Sequence, residues 1–178
     1  ISINVTAKQF LSDGFLAIII DATSQYENQI MSLEITESSI LTDHEKAVET
    51  IYQLRKLGIK VMIDDFGTGY SSLGRLKDLD IDKIKIDKSF LVNSEFNDKS
   101  RKIFASIFGL AATLEIEVVA EGLETMEQLE LLHRFPPMLV QGYLLQEPCI
   151  KALLKSESSI RSIINDNKFE FSKHYSQN

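Results

Sequence analysis

Short runs rich in apolar and β-branched residues recur along the chain and predict β-strands, and the first of them alternates apolar with polar residues. The first covers residues 1–6, where Ile1, Ile3 and Val5 alternate with polar residues. Comparable runs predict further strands at residues 31–36, 59–64, 84–86, 116–120 and 138–140. Apolar residues at spacings of three and four predict helices between them, over residues 43–57, 98–114 and 125–133. Strands and helices that alternate in this way indicate a parallel α/β sheet.

Local signals mark two of these helix boundaries. Gly58 supplies a stop for the first predicted helix, and Thr125 with Gln128 has the spacing of a capping box. No composition shift suggests a domain boundary before about residue 155, after which Ser, Asn and Lys become frequent. We therefore expect a domain over residues 1–155, followed by a C-terminal helix and tail over residues 156–178.

Composition narrows the class of protein without identifying it. The chain has 178 residues, 44% of them hydrophobic and 25% charged, which suits one globular domain. A net charge of −7 argues against binding of duplex nucleic acid through a basic face. The single cysteine, Cys149, excludes an intramolecular disulfide, and the longest apolar run, residues 15–20, is too short to cross a bilayer. A cytoplasmic location is expected, and a parent protein tethered to a membrane through other domains is compatible with it.

Polar side chains stand at or just past the carboxyl ends of the predicted strands. They are Asn4, Glu34, Asp64, Asp65, Lys85, Asp87, Glu121 and Gln141. The steps between strands, roughly 20 to 36 residues, are each about one strand plus one helix. In a (β/α) barrel the carboxyl ends of the strands meet at one mouth, where the chemistry takes place. The sequence therefore predicts a polar site at the mouth of such a barrel.

Several carboxylates at one mouth would repel one another unless divalent cations neutralise them. Oxygen ligands suit Mg²⁺ or Mn²⁺, and adjacent Asp64 and Asp65, pointing to opposite sides of an extended backbone, could serve two ions. Each residue also has a simpler interpretation. A lone carboxylate is usually a helix cap, the paired aspartates suit a turn, and Lys83, Lys85 and Lys88 suit a solvated edge. The recurrence of such residues at the ends of successive strands favours a shared metal site over these separate explanations.

Six segments, in order, resemble the EAL domain family of bacterial cyclic di-GMP phosphodiesterases. They read INVT at 3–6, LEITES at 33–38, DDFGTGYSSL at 64–73, IKIDKSF at 84–90, AEGLET at 120–125 and QGY at 141–143. The resemblance implies a modified TIM barrel and a two-metal hydrolase that converts cyclic di-GMP to linear pGpG. It implies that Asn4, Glu34 and Asp64 hold one Mg²⁺ or Mn²⁺, and that Asp64, Asp65 and Glu121 hold the other.

The resemblance also assigns roles around these ligands. Lys85, Glu121 and Asp65 would be catalytic, with Lys85 orienting the attacking water or stabilising the phosphoryl oxygens. Glu37 would anchor the loop that follows Asp65 by accepting hydrogen bonds from it. The remaining substrate and loop residues would be Gly67, Thr68, Gly69, Asp87, Glu124 and Gln141.

The family's Glu-x-Leu strand, whose Glu is a metal ligand, has no counterpart here because the sequence begins at the Asn4 strand. We therefore expect a barrel incomplete at its amino terminus, poor activity of this chain, and homodimers or domain-swapped association through exposed sheet edges. GGDEF or sensor domains are expected in the parent protein. Two alternatives stay open: an inactive EAL domain that serves as a receptor or interaction module, and a magnesium-dependent lyase with Lys85 as its base.

Overall fold

Strands and helices alternate along most of the chain in the computed structural model, which describes residues 2–24, 32–67, 73–94, 98–136 and 138–145. The strands are β1 (Ser2–Val5), β2 (Ser32–Thr36), β3 (Lys60–Phe66), β4 (Lys83–Ile86), β5 (Glu117–Glu121) and β6 (Leu139–Gln141). The helices are α1 (Ala7–Phe10), α2 (Phe15–Ser24), α3 (Glu37–Thr42), α4 (His44–Lys56), α5 (Leu73–Leu76), α6 (Lys88–Ser94), α7 (Asp98–Thr113) and α8 (Met126–Leu132).

The strands form one parallel sheet in chain order, β1-β2-β3-β4-β5-β6. Helical connections return the chain from the end of one strand to the start of the next, which is the topology of a (β/α) barrel. Among the described residues β1 and β6 are the two edges, so the sheet is an open part of such a barrel. The predicted α/β class and incomplete modified TIM barrel are confirmed.

One face of the sheet is buried under the helices. Alternate residues of the three central strands have almost no exposure: Leu33, Ile35, Val61, Ile63, Ile84 and Ile86. In α4, buried residues recur at spacings of three and four, as the sequence predicts: Ala47, Ile51 and Leu54. Burial of this apolar face is the main stabilising contribution to the fold. Because side chains alternate across a strand, the intervening residues project from the opposite face, which is mostly polar but includes Met62 and Val119.

Two predicted helix boundaries agree with the structure. Helix α4 is followed by Gly58, whose φ of +75° suits a residue without a Cβ. Helix α8 begins after Thr125, which forms the predicted capping box with Gln128.

Five helices lie in segments where no helix was predicted: α1, α2, α3, α5 and α6. Helix α1 begins after a capping box between Thr6 and Gln9, which have the same spacing in the sequence as Thr125 and Gln128. Helix α2 carries isoleucines on all sides, with Ile19 buried and Ile18 exposed, so its sequence lacks the periodicity of an amphipathic helix. Helix α3 begins directly after β2, at Glu37.

No helix in the described part of the chain is long and apolar enough to cross a membrane. The predicted C-terminal helix and tail lie outside the described residues, so the division of the chain near residue 155 stays a prediction.

Candidate active site

The polar face of the sheet converges on the side chain of Lys85, in β4. Its Nζ lies 2.6 Å from Glu34 Oε2 in β2, 3.2 Å from Asp64 Oδ1 in β3 and 2.6 Å from Glu121 Oε1 in β5. Lys85 is only 7% exposed. Three strands therefore present carboxylates to one buried ammonium group near their carboxyl ends. This contradicts the simpler interpretation of Lys85 as part of a solvated edge.

The pKa of Lys85 shows how strongly these carboxylates act on it. Burial alone would lower this pKa, but hydrogen bonds to Glu121 and Glu34 outweigh burial and raise it above the ordinary value. The Lys85 amine is consequently protonated at neutral pH. In this state it can donate hydrogen bonds and stabilise negative charge, but it cannot accept a proton.

A second grouping shares two of its carboxylates with Lys85. Asp64, Asp65 and Glu121 each offer one carboxylate oxygen, and these oxygens all lie within 4.8 Å of one another. The prediction that Asp64 and Asp65 point to opposite sides of an extended strand is therefore wrong. Asp65 has a φ of +54°, in the left-handed region, and the pairing of β3 with β4 shifts register between Ile63 and Phe66. This irregularity brings the Asp65 carboxylate to the same side as that of Asp64.

The carboxylates of the site differ in how easily they ionise. Burial, followed by repulsion from Asp64 and Asp87, raises the pKa of Asp65. Burial also raises the pKa of Glu121, although Lys85 acts in the opposite direction. Burial would raise the pKa of Glu34 as well, but hydrogen bonds from Lys85 and Ser2 hold it below the ordinary value. Burial and neighbouring carboxylates therefore disfavour the ionised forms of Asp65 and Glu121, whereas the ionised form of Glu34 is favoured.

Asn4 and Glu34 lie side by side on neighbouring strands. They face each other in the register of β1 and β2, and Asn4 is exposed. Ser2, which was not among the predicted site residues, donates a hydrogen bond of 2.5 Å from its hydroxyl to Glu34 Oε1. The available signal was the period of two, because Ser2 precedes Asn4 by two residues and shares its face of the strand. Glu34 is thus held from one side by Ser2 and from the other by Lys85.

Glu37, the first residue of α3, contacts the start of the loop that follows β3. It is 8% exposed, and its Oε2 accepts a hydrogen bond of 3.2 Å from the Gly67 N–H. This is the kind of contact predicted for it. A Cβ at Gly67, whose φ is +91°, would lie 2.9 Å from Phe90 Cζ, so a side chain is disfavoured here. Thr68 and Gly69 lie outside the described residues, and their roles stay predictions.

The remaining predicted residues surround the carboxylates. Asp87 Oδ1 accepts a hydrogen bond of 2.9 Å from the Ser89 N–H at the start of α6, which is the local contact of a helix cap. Gln141 is exposed and pairs with Glu121 in the register of β5 and β6. Glu124 follows β5 and is also exposed. The side chains of Gln141 and Glu124 are therefore accessible to a ligand at the carboxyl ends of β5 and β6.

A close backbone approach, not predicted from the sequence, fixes the segment after Glu121 against the end of β6. The Leu123 N–H donates to the Gln141 carbonyl at 3.1 Å, and the Leu144 N–H donates to the Leu123 carbonyl at 3.0 Å. A Cβ at Gly142 would lie 2.1 Å from the Leu123 carbonyl oxygen. Gly142 therefore permits the contact that holds Glu121 and Gln141 at adjacent strand ends.

The residues present fit a hard divalent cation. The donors are carboxylate oxygens from β3 and β5, close enough together to share an ion. Neighbouring carboxylates help to raise the pKa values of Asp65 and Glu121, and a bound cation would offset this repulsion and favour the ionised forms. The identity of the ion does not follow from this arrangement.

Fold and site together define a class: a (β/α)-barrel protein with an acidic, oxygen-lined centre at the carboxyl ends of its strands. The chain belongs to the EAL domain family, whose sequence model matches residues 1–148. The match includes every strand of the sheet and all the residues that contact Lys85.

Named relatives and a solved structure show the same affiliation. Cyclic di-GMP phosphodiesterase NbdA of Pseudomonas aeruginosa is 39% identical over 125 residues, which cover 70% of this chain and 16% of NbdA. The bifunctional diguanylate cyclase/cyclic di-GMP phosphodiesterase MucR of the same organism is 37% identical over 150 residues, covering 83% of this chain and 22% of MucR. The PaMucR phosphodiesterase in complex with c-di-GMP superposes with a TM-score of 0.81 at 35% identity, covering 86% of this chain and 63% of that structure. The chain thus spans about a fifth of the length of these two relatives.

Proposed function

We propose that this protein is a metal-dependent phosphodiesterase that hydrolyses cyclic di-GMP to linear pGpG in bacterial second-messenger signalling. Membership of the EAL family supports this, as do relatives named as cyclic di-GMP phosphodiesterases. The observation that carries the proposal is the gathering of the Asp64, Asp65 and Glu121 carboxylates beside the Lys85 ammonium. A phosphodiester is an anion, and cations are needed for it to approach these acids.

The cations are proposed to be Mg²⁺ or Mn²⁺. Asp64, Asp65 and Glu121 would hold one ion, and Asn4, Glu34 and Asp64 would hold the other, because Asn4 and Glu34 are neighbours in register. When bound, such ions neutralise the carboxylates, polarise a phosphodiester and make water more acidic.

Lys85 supplies positive charge from the protein itself. Its ammonium is buried and protonated, so it is suited to donate hydrogen bonds to a water molecule or to phosphoryl oxygens as negative charge develops there. The same property argues against the lyase alternative, in which Lys85 has to be an uncharged base.

Other residues are proposed to hold the substrate and the loop beside it. Glu37 positions the beginning of the loop through the Gly67 N–H, and Gln141 and Glu124 offer polar contacts at the rim. Asp87 is also proposed to support the substrate or the loop. Its carboxylate helps to raise the pKa of Asp65 and therefore lies near the acidic centre.

The test is product analysis with the full-length protein. Purified protein is incubated with cyclic di-GMP and Mg²⁺, and the nucleotides are separated by chromatography. We expect conversion of cyclic di-GMP to pGpG in equal molar amount, with no depletion of small carboxylic acids in a parallel lyase assay. Saturable binding of cyclic di-GMP without conversion would contradict the enzyme and indicate the receptor alternative.

Partners and location are proposed as the sequence predicted them. The name of MucR describes a bifunctional cyclase and phosphodiesterase, which supports a GGDEF partner domain. Self-association is proposed through β1 and β6, the edge strands of the described sheet, and light scattering after size exclusion tests it. A cytoplasmic location is proposed because the EAL family acts on cyclic di-GMP, a messenger inside bacterial cells. Cell fractionation tests this location.

A further inference from the structure

Two lysines on the same face of β4 differ in their surroundings. Lys83 Nζ contacts a single carboxylate, Glu117 Oε2, at 2.5 Å, and the Glu117 side chain is 61% exposed. Lys85, two residues further along, contacts three carboxylates at 2.6, 3.2 and 2.6 Å. Strand, face and residue type are therefore the same, whereas the number of neighbouring carboxylates differs and the Lys83 side chain is 19% exposed against 9% for Lys85. Comparing the two lysines therefore shows how the carboxylates of the acidic centre surround a positively charged side chain.

The ammonium of Lys85 occupies the position that a counter-ion takes among acids. Its partners Glu34, Asp64 and Glu121 come from β2, β3 and β5, so the side chain ties together three strands. Without positive charge there, the three carboxylates would repel one another in a partly buried setting. Lys85 therefore stabilises their approach.

Two of the carboxylates that contact Lys85 also belong to the group that fits a divalent cation. Asp64 and Glu121 contact Lys85, and both also belong to the group with Asp65 that fits a divalent cation. A carboxylate has a limited number of lone pairs, and two cations that share it also repel each other. A divalent ion bound by Asp64 and Glu121 therefore weakens the contacts of both residues with Lys85.

We propose that Lys85 is a built-in counter-ion that competes with the divalent cation for Asp64 and Glu121, so that cation binding releases its ammonium toward the phosphodiester. This inference rests on the proposed cation site. Lys85 would then have two positions, one among the acids and one at the reacting phosphate. Binding of the divalent cation would favour the second position, because it weakens the contacts that hold the ammonium among the acids.

Competition predicts an effect that a purely catalytic lysine would not have. Replacement by the apolar Lys85→Met removes the competitor and leaves the carboxylates in place. Mg²⁺ should then bind more tightly than in the wild type, by about tenfold, which is within the range usual for coupled ligands. Lys83→Met is the matched control, and it should bind Mg²⁺ as the wild type does.

The experiment measures binding independently of activity. Thermal unfolding of the three full-length proteins is recorded across a Mg²⁺ titration, and Mn²⁺ binding is followed by electron paramagnetic resonance. Tighter binding in Lys85→Met alone supports the inference, as does a Lys85→Met protein that folds only when Mg²⁺ is present. Should Lys85→Met not fold under either condition, Lys85→Gln, which retains polarity but not charge, replaces it.

The outcomes separate the inference from the proposed function. Hydrolysis of cyclic di-GMP by the wild type, with equal or weaker Mg²⁺ binding in Lys85→Met, overturns the inference alone. Tighter Mg²⁺ binding in Lys85→Met, with no hydrolysis by the wild type under any condition, overturns the proposed function and supports the inference. Tighter binding in both Lys85→Met and Lys83→Met overturns the inference, because a general change in charge would then explain the effect.

Discussion

The two ends of the same parallel strands carry charges in contrasting arrangements. At the amino-terminal end Arg55 contacts Asp80 at 2.7 Å and Asp82 at 3.0 Å, and Lys83 contacts Glu117 at 2.5 Å. At the carboxyl end one ammonium, that of Lys85, is shared by three carboxylates, and Asp65 lies beside two of them. The first end has nearly matched charges, whereas the second has an excess of negative charge.

The contrast separates charges that hold the fold from charges that are available for chemistry. Asp82 Oδ2 accepts a hydrogen bond of 2.9 Å from the Val61 N–H, and its main chain bonds to both Val61 and Glu117. Asp82 therefore fixes the beginnings of β3, β4 and β5 relative to one another. The carboxylates at the opposite end repel one another instead, which stability alone does not explain. The divalent cation and the anionic substrate proposed above would account for this excess of negative charge.

The largest effect is expected from Asp64, which belongs to both groupings at the carboxyl end. Asp64→Asn removes a negative charge but keeps the shape of the side chain. We expect hydrolysis of cyclic di-GMP to fall on the order of 100-fold or more, because even residues that only orient metal ligands contribute 10–100-fold. Product chromatography measures the rate, and circular dichroism checks the fold. A rate within twofold of the wild type would remove Asp64 from the site.

At the amino-terminal end of the strands, replacement of Asp82 should lower the stability of the fold. Asp82→Ala leaves the buried Val61 N–H without its acceptor and Arg55 without one partner. We expect the free energy of unfolding to fall by about 2 kcal/mol, measured by urea denaturation. Asp80→Ala is the control, because Asp80 also contacts Arg55 but its side chain is 67% exposed. Equal losses in the two variants would contradict the structural role of Asp82.

An intermediate effect is expected from Glu37, which touches the loop between the two aspartates and α5. Glu37→Ala removes the acceptor of the Gly67 N–H, so the loop should be held less firmly. We expect activity or Mg²⁺ affinity to fall by about tenfold, with partial rescue in Glu37→Gln, whose amide oxygen can still accept. Glu45→Ala, an exposed acid in the first turn of α4, is the control. Unchanged kinetics across a Mg²⁺ titration in Glu37→Ala would show that the loop does not depend on this residue.

The smallest effect is expected from Glu117, the exposed partner of Lys83. Glu117→Gln should change the free energy of unfolding by less than about 1 kcal/mol, as is usual for solvated ion pairs. Hydrolysis of cyclic di-GMP should stay within twofold of the wild type. A large loss of activity would mean that the amino-terminal end also takes part in catalysis, and the contrast between the two ends would fail.

Much of the fold could be predicted because its signals are local. Alternation of polar and apolar residues predicted the strands, and the Thr125–Gln128 spacing predicted the start of α8. Strand ends were placed within one or two residues, as for β3, which continues to Phe66. Helix α2 was not recognised, because its first six residues, 15–20, are all apolar and offer no periodicity from which to infer the buried side.

The site was predictable in its members but not in its geometry. Placement of polar residues at strand ends, together with the resemblance, identified Glu34, Asp64, Lys85 and Glu121. The side to which Asp65 points depends on a φ of +54° and a shift in strand register, which only tertiary contacts determine. The burial of Lys85 among three acids likewise depends on the pairing of four strands, and no local pattern reports it.

We propose that the acidic group at the carboxyl ends of the strands becomes a catalytic site when a divalent cation binds. The most direct test is the rate of cyclic di-GMP hydrolysis by the full-length protein after treatment with a chelator, followed by a titration with Mg²⁺. We expect no measurable hydrolysis in the chelator and a saturable return of pGpG formation as Mg²⁺ is added. An undiminished rate in the chelator would mean that hydrolysis does not depend on a divalent cation.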